Sequence, residues 1–127
     1  MPRQAGTRDA CRTLSVMSLN VKLAFLILGS TLFASLSVCV YTVSKYERAF
    51  AATVSGEPEK HVIERFGTPG TREIPEHPLL RYATKPCESP CTERLWWEHP
   101  VLRGIEAWSV ELNSEGNVVH MAHWVSP

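Results

Sequence analysis

The 127-residue chain contains a single aspartate, Asp9, and it has neither a Gly-x-Ser-x-Gly motif nor a glycine-rich phosphate loop. The missing motifs are those that position a serine nucleophile and those that bind nucleotide phosphates. We therefore predict no catalytic residue and no cofactor, and we interpret the chain as a protein that is not an enzyme.

A strong charge of one sign is also missing. The chain has 13 basic and 13 acidic residues, and its segment 44–127 holds 9 lysines and arginines against 12 glutamates. A domain that binds nucleic acid needs a basic stripe to neutralise phosphates. We therefore expect no nucleic-acid partner.

Segment 44–127 has only two cysteines, Cys87 and Cys91, separated by three residues. Zinc knuckles come in pairs, and the sequence has no second cysteine pair and only scattered histidines, so we predict no metal site. In an oxidising compartment a Cys87–Cys91 disulfide is expected. Metal binding and redox activity are less favoured alternatives, the latter because the spacing is not Cys-x-x-Cys.

What the sequence does have is a run of 21 residues without a charged side chain, Leu23–Val43. As an α-helix this run is about 31 Å long, close to the roughly 30 Å hydrocarbon core of a bilayer. We predict a single transmembrane helix, which makes the lipid bilayer one partner of the chain.

Two other interpretations of the run remain open. A cleaved signal peptide has a shorter apolar core that leads directly into a small-residue site, whereas charged residues here precede the nearest such site, Ala49-Phe50-Ala51. A lipoprotein signal is suggested by Leu36-Ser37-Val38-Cys39, although the apolar run continues beyond that cysteine. If it is not lipidated, we expect Cys39 to be a small buried thiol facing lipid or a partner helix.

Basic residues at the two ends of the run predict its orientation. They are Arg3, Arg8, Arg12 and Lys22 before the run, and Lys45 and Arg48 after it. The excess on the N-terminal side indicates a cytoplasmic N-terminus, and it becomes smaller if translation starts at Met17. We expect a bacterial inner-membrane protein whose C-terminal domain is periplasmic or otherwise extracytoplasmic.

The sequence divides into four predicted segments. They are a disordered cytoplasmic tail at 1–22, the span at 23–43, a juxtamembrane helix or linker at 44–53, and a small domain at 54–127. The last is long enough for one core. Its predicted fold class is α+β, with one or two helices packed on a three- to four-stranded antiparallel sheet.

The clearest helix signal in the domain follows Ser55, which is a candidate N-cap, with Pro58 in the first turn. Val62, Ile63 and Phe66 then form an apolar stripe at helical spacing. We expect the helix to end at Gly67, which supplies a left-handed C′ residue.

The remainder of the domain has the pattern of strands. The candidates are Leu79–Thr84, Thr92–His99, Gly104–Leu112 and Asn117–Val125. A four-residue turn at 113–116 joins the last two and predicts Leu112 opposite Val118, Val110 opposite His120, and Trp108 opposite Ala122. This register places Trp124 on the face that covers the helix.

Several segments occur in an order that is known from one protein family. They are Gly56–Glu59 with Val62, Phe66–Pro69, Trp96–Trp97, Glu106–Leu112 and Glu115–Val119. Over residues 54–125 the chain resembles the small outer-membrane lipoprotein A (SmpA/OmlA, BamE-like) family. The resemblance implies two helices on a three-stranded antiparallel sheet that binds proteins and has no catalytic residue. Members are typically lipidated in the outer membrane, whereas a retained span would hold this domain at the inner membrane.

The adjacent tryptophans suggest the candidate interface. Successive side chains of a strand point to opposite faces, so Trp96 and Trp97 cannot both face the helix. Parity places Leu95, Trp97 and His99 in the core, and it leaves Trp96 beside Arg94 and Glu98 on the open face. Either these three residues bind a partner, or the proline-rich loop 74–78 covers Trp96.

From these patterns we expect a membrane-anchored envelope protein whose exported domain binds a protein partner, as an accessory subunit of a larger assembly. The alternative is an inhibitor or immunity-type protein that acts on an envelope enzyme. The sequence names no partner in either case.

Overall fold

The computed structural model describes residues 19–82 and 85–126. The chain divides into two compact units, of which the first ends at Ser37 and the second begins at Val38. The elements are α1 (Leu19–Ala52), α2 (Glu59–Phe66), β1 (Thr71–Glu73), a 3₁₀ turn (Leu80–Tyr82), β2 (Glu93–Glu98), β3 (Glu106–Leu112) and β4 (Val118–Val125). The molecule is thus an α+β protein with a four-stranded antiparallel sheet, as predicted.

Helix α1 has 34 residues and is long and apolar enough to cross a membrane. Residues 19–22, which the sequence assigned to the disordered tail, form its first turn, and the rest of that tail lies outside the described residues. At its other end the helix continues without a break through most of the expected juxtamembrane segment 44–53. The apolar run is therefore the central part of a longer helix.

Within the second unit, α1 contributes apolar side chains to the core. Ala49 is buried, and Val43, Tyr46 and Phe50 pack around it. The ring of Tyr46 lies 5.3 Å from that of Trp108. This part of α1 is therefore a layer of the domain rather than a free linker.

Helix α2 begins one turn later than its sequence signal suggests, and the expected Ser55 cap is wrong. The N-cap position is Pro58, which has no side-chain cap. The backbone around it pairs with the start of β4, so that the amide of Glu59 donates to the carbonyl of Gly116 at 2.9 Å. A main-chain acceptor thus replaces the hydroxyl cap. Gly67 ends the helix with φ +90°, and its ψ of −174° is extended rather than left-handed helical.

An ion pair connects α2 to the segment that follows α1. The Arg65 guanidinium donates to both carboxylate oxygens of Glu57 and to the hydroxyl of Thr53. The Arg65 hydrogen bond lowers the pKa of the Glu57 carboxyl, which also accepts from the amide of Val54. The connection from 53 to 58 is therefore held by charge as well as by backbone pairing.

The strands follow the order β1-β2-β3-β4, each antiparallel to its neighbour. The predicted strand at 79–84 is wrong, because the described part of that segment is the 3₁₀ turn. The first strand is instead β1, three residues that pair with β2 through Thr71 opposite Trp96 and Glu73 opposite Arg94.

The β3–β4 register agrees with the expectation only next to the turn. Leu112 lies opposite Val118, as predicted, but a bulge then leaves Val119 without an opposite residue. The expected partners of Val110 and Trp108 are wrong by one residue. The observed pairs are Val110 with Met121 and Trp108 with His123. Because one extra residue inverts the faces of a strand, Trp124 turns away from the helices.

The core lies between the sheet and the two helices. Phe66 of α2 stacks on Trp97 of β2 with ring centroids 4.3 Å apart. The buried apolar residues of this layer are Ala49, Val62, Phe66, Leu95, Trp97, Trp108, Val110, Leu112 and Val118. The predicted burial of Leu95, Trp97 and His99 is confirmed.

Candidate binding site on the outer face of the sheet

The outer face of the sheet is the one turned away from α1 and α2. One row of opposite residues crosses all four strands there. It consists of Glu73 on β1, Arg94 on β2, Glu111 on β3 and His120 on β4. Three of the four are ordinarily charged, so this face differs sharply from the apolar helix side.

Arg94 is the centre of this row and is only 2% exposed. Its guanidinium donates to the Glu73 carboxylate at 3.1 Å, to Glu111 at 2.7 and 3.0 Å, and to the carbonyl of Lys85 at 2.9 Å. A buried cation requires such compensation because its desolvation is costly. The network also ties the Cys87–Cys91 loop to the sheet, since Lys85 precedes that loop.

Trp96 lies beside this network and is fully buried. Its indole N–H donates to Glu73 at 2.6 Å, and the guanidinium carbon of Arg94 lies 5.7 Å from the ring centroid. Tyr82 stacks on the ring at 4.9 Å, and Trp124 packs at 6.1 Å. These two aromatic side chains cover Trp96 from the 3₁₀ turn and from β4.

Glu98 connects the covering turn to β2. Its carboxylate accepts from the hydroxyl of Tyr82 at 2.6 Å and from the guanidinium of Arg81 at 2.5 Å. Burial, and to a lesser degree the Glu98 hydrogen bond, raises the pKa of the Tyr82 hydroxyl, which therefore keeps its proton. The same hydroxyl accepts from the amide of Gly104 at 3.2 Å.

The expected exposure of Trp96 and Arg94 is therefore wrong, and Glu98 is partly buried. Of the two interpretations, the covered one agrees with the structure, but the cover differs from the proline-rich loop 74–78. Leu79, Tyr82 and Trp124 supply it. The bulge in β4, which moves Trp124 to this face, could not be derived from the alternation of its residues.

An open pocket of about 580 Å³ remains beside the covered tryptophan. Its walls combine both charges with one aromatic ring. They are formed by Lys85, Pro86, Glu88, Arg94, Glu111, His120 and Trp124. His120 is exposed and its Nδ1 lies 3.8 Å from the Glu111 carboxylate. The pocket therefore offers polar and charged contacts to a ligand.

Cys87 and Cys91 form a disulfide next to this pocket, with sulfur atoms 2.09 Å apart. Both residues are buried. Cys39 is free and half-buried, and its sulfur lies 4.0 Å from Nε2 of His99. The expectation that this thiol faces lipid or another helix is corrected, because it contacts the domain of its own chain.

The outer edge of β4 borders the pocket. Ser126 donates its amide to Ile105 on the β3 side, and alternation along an antiparallel strand then directs the amides of Met121 and His123 outward. Among residues 19–82 and 85–126, the only backbone that pairs with this edge is the segment 56–59 near Val118. The rest of the edge can pair with another strand.

These features define an α+β protein with one candidate transmembrane helix and a polar pocket next to an open sheet edge. Comparison with protein-family models, with curated proteins and with solved structures gave no match. Its function is therefore inferred from the geometry of the described residues.

Proposed function

We propose that this protein is a single-pass inner-membrane protein of bacteria whose extracytoplasmic domain binds another envelope protein, as an accessory subunit. The apolar helix α1 supports the membrane location. The basic residues before the span support a cytoplasmic N-terminus. The Cys87–Cys91 disulfide supports an oxidising compartment for the domain.

The open edge of β4 is the observation that carries the binding role. An added strand forms main-chain hydrogen bonds with such an edge, and neighbouring pockets select its side chains. Here the pocket at Arg94, His120 and Trp124 lies directly beside the edge. An extended segment of a partner that pairs with β4 would place alternate side chains in or over this pocket.

The order of α2, β2, β3 and β4 supports the proposed SmpA/OmlA-like relationship, since that family uses a similar small sheet for binding. Strand β1 adds a fourth strand to the three that the resemblance implies. The continuous α1 supports a membrane tether in place of a lipid.

Photocrosslinking in native membranes tests the binding role. The full chain would carry a photoreactive phenylalanine analogue at His120, in the pocket wall, or at His61 on α2 as a control that is also exposed. We expect one discrete adduct from position 120 and none from position 61. His123→Pro, which removes one outward amide, should abolish that adduct, and the circular dichroism spectrum checks that the domain remains folded. Equal adducts from both positions would contradict binding at this edge.

A further inference from the structure

Large apolar side chains that are exposed outside α1 gather at one end of the domain. Only Val54 and Ile74 lie elsewhere among the described residues. The gathered set, which we call the apolar rim, consists of Leu80, Val101, Leu102, Ile105 and Val125. They come from three segments that are distant in sequence, so a composition window does not reveal them.

Hydrogen bonds hold the three segments side by side. The amide of Gly104 donates to the Tyr82 hydroxyl at 3.2 Å, which joins the 3₁₀ turn to the β2–β3 loop. The amide of Ser126 donates to the carbonyl of Ile105 at 2.7 Å, which joins the end of β4 to the same loop. The rim is therefore a continuous feature of the folded domain.

The rim lies at the end of the domain next to Cys39, near the C-terminal end of the apolar run. His99, the first residue after β2, places its Nε2 4.0 Å from the sulfur of Cys39, inside that run. The other ring nitrogen, Nδ1, accepts from the amides of Val101 and Leu102 at 3.1 and 2.9 Å. One histidine thus fixes the loop beside a residue that belongs to the predicted span.

The opposite end of the domain is polar. It contains the turn 113–116 with its asparagine, serine and glutamate, and it meets the segment after α1, where the amide of Gly56 donates to the carbonyl of Val118 at 2.7 Å. A water-facing apolar cluster at only one end is unfavourable unless something covers it. The position of α1 indicates that the bilayer covers the rim, because the rim adjoins the part of α1 whose apolar side chains remain exposed, such as Val40 and Tyr41.

We propose that the apolar rim inserts into the interfacial layer of the bilayer, so that the domain rests on the membrane rather than standing clear of it. Arg103 is exposed within the β2–β3 loop, where a lipid phosphate would find a cation. The inference rests on the membrane anchoring proposed above.

Site-specific fluorescence tests it with the full chain in phosphatidylcholine vesicles, with or without bromine on the acyl chains. The starting variant would combine Cys11→Ser with Cys39→Ser. In it, a single cysteine would replace Val101, Val54 or Leu32 and carry an environment-sensitive nitrobenzoxadiazole dye. Val54 is the matched control, a similarly exposed valine at the polar end. Leu32 reports on the span itself. The near-ultraviolet circular dichroism spectrum would show that each labelled protein is folded.

We expect bromine to quench the dye at 101 and at 32, with a blue-shifted emission at both, and to leave the dye at 54 unchanged. Quenching at 32 alone would overturn the inference and leave the membrane anchoring intact. This is the result expected if the rim binds a protein instead of lipid. Equal quenching at 101 and 54 would overturn it too. No quenching at 32 would overturn the membrane anchoring itself.

Discussion

On the helix side of the sheet, Trp97 lies on Phe66 among other apolar side chains. On the outer side, Trp96 is just as buried, but its neighbours include the carboxylate of Glu73 and the guanidinium of Arg94. Removal of apolar area from water stabilises the first arrangement. The second depends on matched charges, because an uncompensated buried charge costs several kcal/mol. The two faces should therefore respond alike to loss of a tryptophan and differently to loss of a charge.

The largest effect is expected from Arg94→Met, which leaves the carboxylates of Glu73 and Glu111 without their cation. Removing one partner of a buried ion pair costs about 3–5 kcal/mol. Because two carboxylates would lose their cation here, we expect a value at the upper end of this range. Urea unfolding of the full chain in detergent, followed by tryptophan emission, measures this loss.

Arg72→Met is the matched control on the helix side. Arg72 also bonds two glutamates, Glu59 and Glu93, but its side chain is 45% exposed. A solvated pair contributes about 0–1 kcal/mol, so we expect little change. Similar losses for the two arginines would show that burial does not distinguish the two faces.

Trp96→Ala and Trp97→Ala should each lower the free energy of unfolding by about 3–5 kcal/mol, because each removes a fully buried indole. The same urea titration compares them. A Trp96→Ala protein with nearly unchanged stability would mean that the cover of Tyr82 and Trp124 closes over the gap, and that the outer face is loosely packed.

The disulfide beside the outer face should contribute less. Its ring contains only five residues, for which loop entropy gives about 2 kcal/mol. Cys87→Ser with Cys91→Ser should lose that amount, and dithiothreitol should reproduce it in the native chain. If dithiothreitol also destabilises the serine variant, the loss does not come from this bridge.

The smallest effect concerns the Glu57–Arg65 pair on the helix side. The native pKa of Glu57 is lower than the unfolded one, so the unfolded chain binds more protons and stability rises with pH across that interval. The contribution, about 1 kcal/mol, is present above the ordinary pKa of 4.5 and is lost as the pH falls through the lowered native pKa.

Glu57→Gln should remove this part of the acid sensitivity, as measured by urea titrations at neutral and acidic pH. Glu64→Gln, on the exposed side of α2, is the control and should leave the pH profile unchanged. A Glu57→Gln profile identical to that of the native chain would contradict the role of this carboxyl.

The helix side was largely predictable from the sequence, because periodic apolar residues report directly on one buried face. The apolar stripe at Val62 and Phe66 is an example. The hairpin turn before Asn117 was predictable from its own residues. The outer face was not predictable in the same way. Glu73 and Arg94 appear as surface residues in a local window, and only their pairing across β1 and β2 makes burial possible.

Strand β1 was not predictable from the sequence for the same reason. Its three residues, Thr-Arg-Glu, have no apolar alternation, and pairing with β2 rather than intrinsic propensity holds them. The 3₁₀ turn that covers Trp96 contains Leu80 and Tyr82, and the alternation of these apolar residues wrongly predicted a strand. Long-range contacts therefore determine the secondary structure of both segments.

The bulge at Val119 gives β4 one residue more than its pairing with β3 requires. Because Val119 has no opposite residue, deleting it would leave every later pair unchanged, with Trp124 still opposite Ala107 on the outer face. One residue inserted after the bulge would instead exchange inside and outside for the residues that follow, so that Trp124 would point toward α1. In a library of variants, single-codon deletion of Val119 should therefore survive, whereas single-codon insertions later in β4 should be eliminated.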